Sequence, residues 1–299
     1  KISMKPLTSY YGGKQRIASK VLSYFPKHTV YVEPFAGGAA LLFAKPKPVV
    51  SNSNYYREVL NDKNDLLINL YRVAIEHRKE LELKIQATLY SQSDHRKAIE
   101  ITKNPDGYDE LTKAWAFYVN INQSFSKTLN RGWATSVSSD NHPVTWHNKK
   151  LRLPEILDRI KDIYVSCEDA IKCIQRWDSP QTLFYCDPPY PNAQQGHYSG
   201  YTLDDLKLLC DILDNIQGSY VLSNYPQETE PQSAQQRVEI EAVMSAKGKA
   251  GHDRSQDPVK RENNKRTEVL WVCDRSHVIR NDLKSVIAPK SPIQQLALF

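Results

Sequence analysis

No apolar run in the chain approaches the roughly 20 residues of a membrane span, and no secretory leader is visible at its start. No Cys-x-x-Cys pair occurs, and the five cysteines (Cys167, Cys173, Cys186, Cys210 and Cys273) are odd in number, most of them in apolar runs. That pattern argues against a disulfide frame and a zinc site, and for reduced thiols in a cytoplasmic protein. None of the histidines has metal-ligand spacing, so no metal is expected. Internal repeats, a Gly-x-Gly-x-x-Gly dinucleotide fingerprint and a Gly-Lys-Ser/Thr phosphate loop are also missing. Net charge is weak: +6 over 299 residues permits an anionic partner without requiring one. Met4 reads as the natural start. What remains is a globular composition, long enough for one large domain with an insertion or for two domains.

One stretch organises the rest. The apolar run Thr182–Cys186 has strand length and composition, and it ends in Asp187-Pro188-Pro189-Tyr190. Each proline fixes its own φ and lacks an N–H, and Pro189 biases Pro188 toward an extended backbone. The Asp187 carboxylate, the Pro188 carbonyl and the Tyr190 ring therefore leave the strand as a rigid trio. In open α/β sheets the carboxyl edge of the strands is where ligands sit. Two acceptors beside a flat ring suit a planar group bearing an NH₂.

Upstream, Tyr10-Tyr11-Gly12-Gly13-Lys14 is a glycine turn that delivers a cation at the start of a helix ending near Pro26. A strand over 29–33 runs into Glu33-Pro34-Phe35-Ala36-Gly37-Gly38 and an apolar helix, the opening βα unit of a Rossmann-like sheet. Val49-Val50 is a weak second-strand candidate, followed by 58–62 and a helix over 65–78. Asp62 fits the slot where this architecture places an acid for ribose hydroxyls. From 76 to 153 the α/β alternation lapses into a charged helical run (76–103), a turn at 104–107 and a helix over 111–121. The following stretch is rich in amides and hydroxyls and interleaved with Phe125 and Trp133. Asn120, Asn122, Ser124, Lys127, Asn130 and Arg131 are its candidate DNA contacts, since amides and guanidinium suit base edges and lysines suit phosphates. The alternation resumes with a helix over 155–161, a strand over 163–167, a helix from Glu168 and Asp169 to Arg176, a helix over 203–213 and a strand over 219–223. Residues 227–266 are polar, with a basic second half, and a last strand over 268–273 closes the sheet.

These motifs, in this order, resemble the Dam-like (alpha-group) adenine-N6 DNA methyltransferases over roughly residues 7–272. Tyr10 to Lys14 is similar to the amino-terminal motif, which usually carries Trp at the place of Tyr10. Glu33 to Gly38 resembles the methionine-side cofactor loop, Asn61-Asp62 the ribose site, and Cys167-Glu168-Asp169 the segment whose acid meets the cofactor adenine. Asp187-Pro188-Pro189-Tyr190 resembles the catalytic motif, and Leu222-Ser223-Asn224 the strand after it. The resemblance implies an α/β fold: a Rossmann-like S-adenosylmethionine-dependent methyltransferase sheet (1–75 and 154–288) with an inserted, mainly helical target-recognition domain (76–153). It implies S-adenosylmethionine as methyl donor, with Lys14 and the glycine turns toward its carboxylate, Asp62 toward ribose and Asp169 toward the adenine amine. Asp187 is expected to touch both donor and target. The implied partner is double-stranded DNA, in a bacterial or phage-infected cell and close to the nucleoid, and the implied substrate is a flipped adenine. The insertion departs from the GATC-specific pattern at Asn130-Arg131-Gly132-Trp133-Ala134, so that target is not carried over.

The tail is a separate expectation. A proline linker (289–292) leads to Gln295-Leu296-Ala297-Leu298-Phe299, which resembles the peptide that docks bacterial replication and repair proteins on the DNA sliding clamp. Gln295, Leu296, Leu298 and Phe299 would make that contact, and the enzyme is expected to be a monomer. Competing readings are cytosine-N4 or RNA-base amino-methylation, which the same acceptor site would serve, and a DNA-binding regulator on a disabled methylase scaffold.

Overall fold

The computed structural model describes residues 4–8, 14–46, 56–137, 141–191, 200–225, 229–243 and 265–276. Tyr10 to Gly13, the strand candidate at Val49-Val50, the basic stretch 247–264 and the tail with Gln295 to Phe299 lie outside the described residues.

Seven strands form one sheet: β1 (Val30–Glu33), β2 (Arg57–Asn61), β3 (Tyr164–Ser166), β4 (Thr182–Cys186), β5 (Ser219–Asn224), β6 (Gln236–Val243) and β7 (Lys265–Cys273). Their order is β3-β2-β1-β4-β5-β7-β6. The first five strands pair in parallel, while β7 runs antiparallel to both β5 and β6. The order reverses between β1 and β4, which opens a crevice at their carboxyl ends. This is the α/β sheet expected of a methyltransferase.

The central strands read as continuous apolar runs because both of their faces are covered. Strand periodicity divides their side chains. Tyr31, Leu60, Leu183 and Tyr185 join one core with α1 (Ala18–Leu22), α2 (Ala40–Ala44), α3 (Asp65–Glu76) and the helices of the insertion. Val30, Val32, Phe184 and Cys186 face a second core against α8 (Ala170–Trp177) and α9 (Leu203–Asn215). All five cysteines are free thiols, and only Cys167 is exposed.

The segment expected to be the insertion (76–153) carries α4 (Arg78–Ala87), α5 (Gln92–Lys103), α6 (Glu110–Gln123) and most of α7 (His142–Arg159), which runs past its end. The charged helical run breaks at 88–91, where the Ser91 side chain accepts from Asp94 N and caps α5. Helix α6 packs against α3, α4, α5 and α7, so its polar residues are buried along with its apolar ones.

Helix α7 starts 13 residues earlier than the expected 155–161, and Pro154 lies inside it. Proline lacks the N–H that would bond Lys150 O, four residues back. The Gln86 side chain supplies that bond instead, at 2.8 Å. Lys150 Nζ answers by donating to Gln86 O (2.9 Å) and Thr88 O (3.1 Å) at the end of α4. The far end of α7 is anchored in the sheet, where Arg159 forks onto both Glu58 oxygens (2.6 and 2.8 Å) and donates to Leu42 O (2.9 Å). Lys45 approaches the same carboxylate at 2.9 Å. These two cations hold Glu58 below the usual carboxylate range despite its burial.

One strand differs from the sequence expectation. Arg57–Asn61 nearly coincides with the 58–62 stretch, but β6 falls in a stretch read only as polar. There Val238 and Ile240 turn inward while Arg237, Glu239 and Glu241 face solvent, an edge-strand alternation carried by only two large apolar residues.

Candidate active site

Strand β4 is fully buried and delivers Asp187 to the carboxyl edge of the sheet, with Pro188 buried behind it and the Asp187 side chain 23% exposed. Lys14 begins the short 3₁₀ turn Lys14–Arg16, and its side chain is buried. Its ammonium donates to Asp187 Oδ1 at 2.8 Å and to the Tyr190 hydroxyl at 2.9 Å, and stands 3.2 Å from Glu268 Oε1. Glu268, on β7, also accepts from Ser223 Oγ at 2.7 Å and from the Tyr190 hydroxyl at 3.2 and 3.3 Å. The Tyr190 ring stacks on Tyr225, with centroids 4.0 Å apart and planes at 21°.

Two carboxylates thus share one cation. Burial pushes the Asp187 pKa up; Lys14 pulls it down, Glu268 pushes it further up, and it settles at about 6. Burial opposes the charge on Lys14, but Asp187, Tyr190 and Glu268 together hold its pKa above the ordinary lysine value. Burial keeps Tyr190 a neutral phenol. At neutral pH Asp187 is therefore mainly a carboxylate acceptor and Lys14 an ammonium.

Around the neighbouring strand ends, Gly37 takes φ +46° in the turn after β1, a left-handed conformation suited to glycine. Asp62 follows β2 and accepts from Gly37 N at 2.9 Å and from Asn64 N at 2.9 Å. Asn61 bridges Pro34 O and Glu168 O, both at 3.0 Å, locking the loops after β1 and β3 together. Ala36 N donates to Asn61 O at 2.8 Å. Asp169 caps α8, accepting from Ile171 N at 2.9 Å, and Glu168 forks with Arg176. Glu33 is buried, receives the Tyr31 hydroxyl (2.8 Å) and Leu42 N (2.9 Å), and has its pKa raised by burial to about 8.

The expected core site residues among those described therefore gather at one sheet edge. Lys14 is expected on the donor's carboxylate, but its ammonium lies among the oxygens of the catalytic motif. Glu268 escaped the sequence reading, although a signal was present. It shares its strand face with Leu270 and Val272, so a charge there is aimed at the core.

The insertion places its candidate DNA contacts differently. Asn120, Asn122 and Ser124 are buried. Asn120 donates to Thr102 Oγ1 (2.6 Å) and Asn130 Oδ1 (2.9 Å), and its Oδ1 accepts from Asn130 N (3.0 Å) and Ser124 Oγ (3.1 Å). Ser124 also pairs with His95 Nε2 at 2.8 Å. These side chains hold the loop 124–133 in shape and present no free edge to a base. Asn122 binds cations instead: Lys127 Nζ donates to its backbone carbonyl at 2.9 Å, and Lys149 Nζ donates to its side-chain oxygen. Ser126, Lys127 and Asn130 all adopt positive φ, between 54° and 59°. On the outer surface of this loop Phe125 is 60% exposed, and Arg131 and Gly132 are open to solvent.

The profile of the D12 class N6 adenine-specific DNA methyltransferases matches residues 10–234, about three quarters of the sequence. The chain belongs to that family. Among its relatives, Type II methyltransferase M.MjaIII of Methanocaldococcus jannaschii is 25% identical over 227 residues, covering 68% of this chain and 75% of the relative. The retron Ec67 DNA adenine methylase of Escherichia coli is 25% identical over 221 residues, 71% of this chain and 73% of the relative. The DNA N-6-adenine-methyltransferase of Escherichia phage P1 is also 25% identical, over 212 residues, but the match spans only 27% of that longer protein. Family membership selects adenine N6 among the planar amines the acceptor site would suit, and DNA as the substrate. It also implies S-adenosylmethionine as methyl donor, and the residues present fit it: a glycine turn after β1, a buried acid after β2 and acids after β3, at the same sheet edge as Asp187. No helix among the described residues is long and apolar enough to cross a membrane.

Proposed function

We propose that Asp187 and the Pro188 carbonyl accept the two N6 protons of an adenine turned out of double-stranded DNA, with Tyr190 stacked on the base. The observation that carries this reading is a carboxylate held rigidly at the end of β4, 2.8 Å from a buried cation and beside an aromatic ring. The adenine amine is a weak nucleophile because its lone pair is delocalised into the ring. Acceptors fixed on both protons favour a pyramidal nitrogen and stabilise the positive charge it gains as it is methylated. S-adenosylmethionine supplies, when bound, a methyl group on a sulfonium. The loop Glu33 to Gly38, with Asp62 and Asp169, would hold it, and Tyr10 to Gly13 complete that face in the family pattern. Much of the rate then comes from holding amine and methyl in line.

Asp187→Ala is expected to lose methyl transfer by at least about a hundredfold, read as tritium transfer from the donor to DNA, while donor binding persists. An alanine variant with near-normal turnover would overturn the assignment. In the wild type, turnover should decline as pH falls through about 6, because protonated Asp187 loses its acceptor role.

The DNA-facing surface is proposed to be the outer side of loop 124–133. Arg131 and the Lys127–Lys149 pair would meet phosphates there, with Asn120, Asn122 and Ser124 as its scaffold. Such contacts make affinity fall steeply with salt. The tail Gln295 to Phe299 is proposed to tether a monomeric enzyme to the sliding clamp. That rests on its sequence, and a clamp pull-down with and without the last five residues tests it.

A further inference from the structure

We propose that Glu268 receives Lys14 when the target amine arrives, which makes it a positioning residue for methyl transfer. The proposal rests on Asp187 being the amine acceptor. Lys14 occupies Asp187 Oδ1 at 2.8 Å, and the Asp187 side chain is 23% exposed, so an amine N–H would share this carboxylate with the ammonium. An N6–H on the same carboxylate weakens its hold on the ammonium, and the amine gains positive charge nearby as it is methylated, so the cation needs a second acid close by. Withdrawn without one, a buried cation would be strongly disfavoured.

Glu268 meets that need. It is buried, its Oε1 already lies 3.2 Å from the ammonium, and it is fixed by Ser223 and by the Tyr190 hydroxyl. A shift of Lys14 by a few tenths of an ångström exchanges its stronger partner without breaking its bond to Tyr190. The same shift keeps the Tyr190 ring tethered through its hydroxyl as the base comes to it. Two carboxylates facing one ammonium thus form a two-position seat: Lys14 lies 2.8 Å from Asp187 and 3.2 Å from Glu268, and moves onto Glu268 during catalysis.

Glu268→Gln keeps the shape and removes the second seat. Turnover is expected to fall on the order of tenfold, by analogy with the loss of an electrostatic partner, with the Michaelis constant for DNA and donor affinity little changed. The groups facing Asp187 are Lys14 from the amino-terminal turn, Tyr185 and Cys186 within β4, Tyr190 after it, Glu268 from β7 and Glu33 from β1. Removing the Glu268 charge removes an upward push on the Asp187 pKa. A carboxylate NMR titration of the free enzyme should therefore show Asp187 titrating below its wild-type value of about 6, and the acid limb of the turnover profile should move down with it.

Glu268→Asp keeps the charge on a shorter arm, so it should leave that limb near wild type while lowering turnover. A Glu268→Gln enzyme with wild-type turnover overturns the proposal. So does reduced turnover with Asp187 titrating as in the wild type, which would make Glu268 merely structural. If Glu268→Gln does not fold, Glu268→Asp with unchanged turnover overturns it equally. Asp187→Ala tests the underlying reading separately: an active Asp187→Ala enzyme removes the acceptor assignment whatever Glu268 does.

Discussion

At the sheet edge, Asp187 keeps 23% of its side chain exposed and shares its cation with a second acid; in the insertion, Asn120 is fully buried and its amide has four partners within the protein. Both regions concentrate polar side chains, yet of these two only the sheet edge sets two acids within reach of one cation. The difference lies in what surrounds them. A strand end in an open parallel sheet faces a crevice created by the reversal of strand order. Helix α6 is packed on several sides by other helices, so a polar residue there must find its partner at home or destabilise the fold. The proposed chemistry sits where the topology opens, and the proposed DNA-facing surface is the outside of a loop that buried amides hold in place.

That contrast can be broken by three substitutions. The largest effect is expected at the junction. Arg159→Ala leaves Glu58 with Lys45 but without its fork, and should cost about 3–5 kcal/mol. Chemical denaturation would check this, and because insertion and sheet share one apolar core the loss should appear in a single transition. A separate early transition confined to the insertion would refute the shared core.

Next comes Asn120→Ala, which strips the amide from the loop scaffold. Leaving buried partners unpaired should cost about 1–3 kcal/mol and weaken DNA binding at every sequence alike, with donor binding preserved. Altered sequence preference at unchanged melting temperature would instead make Asn120 a base reader.

The smallest effect is the most diagnostic. Lys149 is held well below its ordinary pKa by burial and by the nearby charges of Lys127 and Lys5. Lys149→Met should therefore leave the melting temperature unchanged or raised. If a phosphate relieves that repulsion in the complex, the same variant should bind DNA less tightly, with a salt-dependence slope shallower by about one contact. A stabilised variant with unaltered DNA binding would make Lys149 a purely internal residue.

Much of the sheet was legible in the sequence because its central strands are apolar on both faces and punctuated by glycine, proline and acids. Thr182–Cys186 followed by Asp187-Pro188-Pro189 could be read locally, since prolines and strand composition act through the backbone. Asp62 was legible for the same reason. What escaped depends on partners distant in the chain. Glu268 matters because Lys14, 254 positions away in sequence, lies beside it. The true start of α7 was hidden by Pro154, and nothing local announces that Gln86 repairs the missing bond. The direction of Asn120, Asn122 and Ser124 was invisible because composition identifies a hydrogen-bonding residue but not which side of a helix its neighbours will cover.

Helix α7 bears on how specificity in such an enzyme could be exchanged. Its first half packs with the segment proposed for recognition: Trp146 donates to Thr88 O, and Lys149 holds Asn122. Its last residue, Arg159, is riveted to β2 through Glu58. A chimera joined near residue 153, where the α/β pattern of the sequence resumes, would splice two foreign half-helices across a proline whose missing bond is supplied by Gln86 of the donor segment. A viable cassette must cut before Asn141 and carry α4 and α5 without α7, or else transplant α7 whole together with the Glu58 seat that receives it.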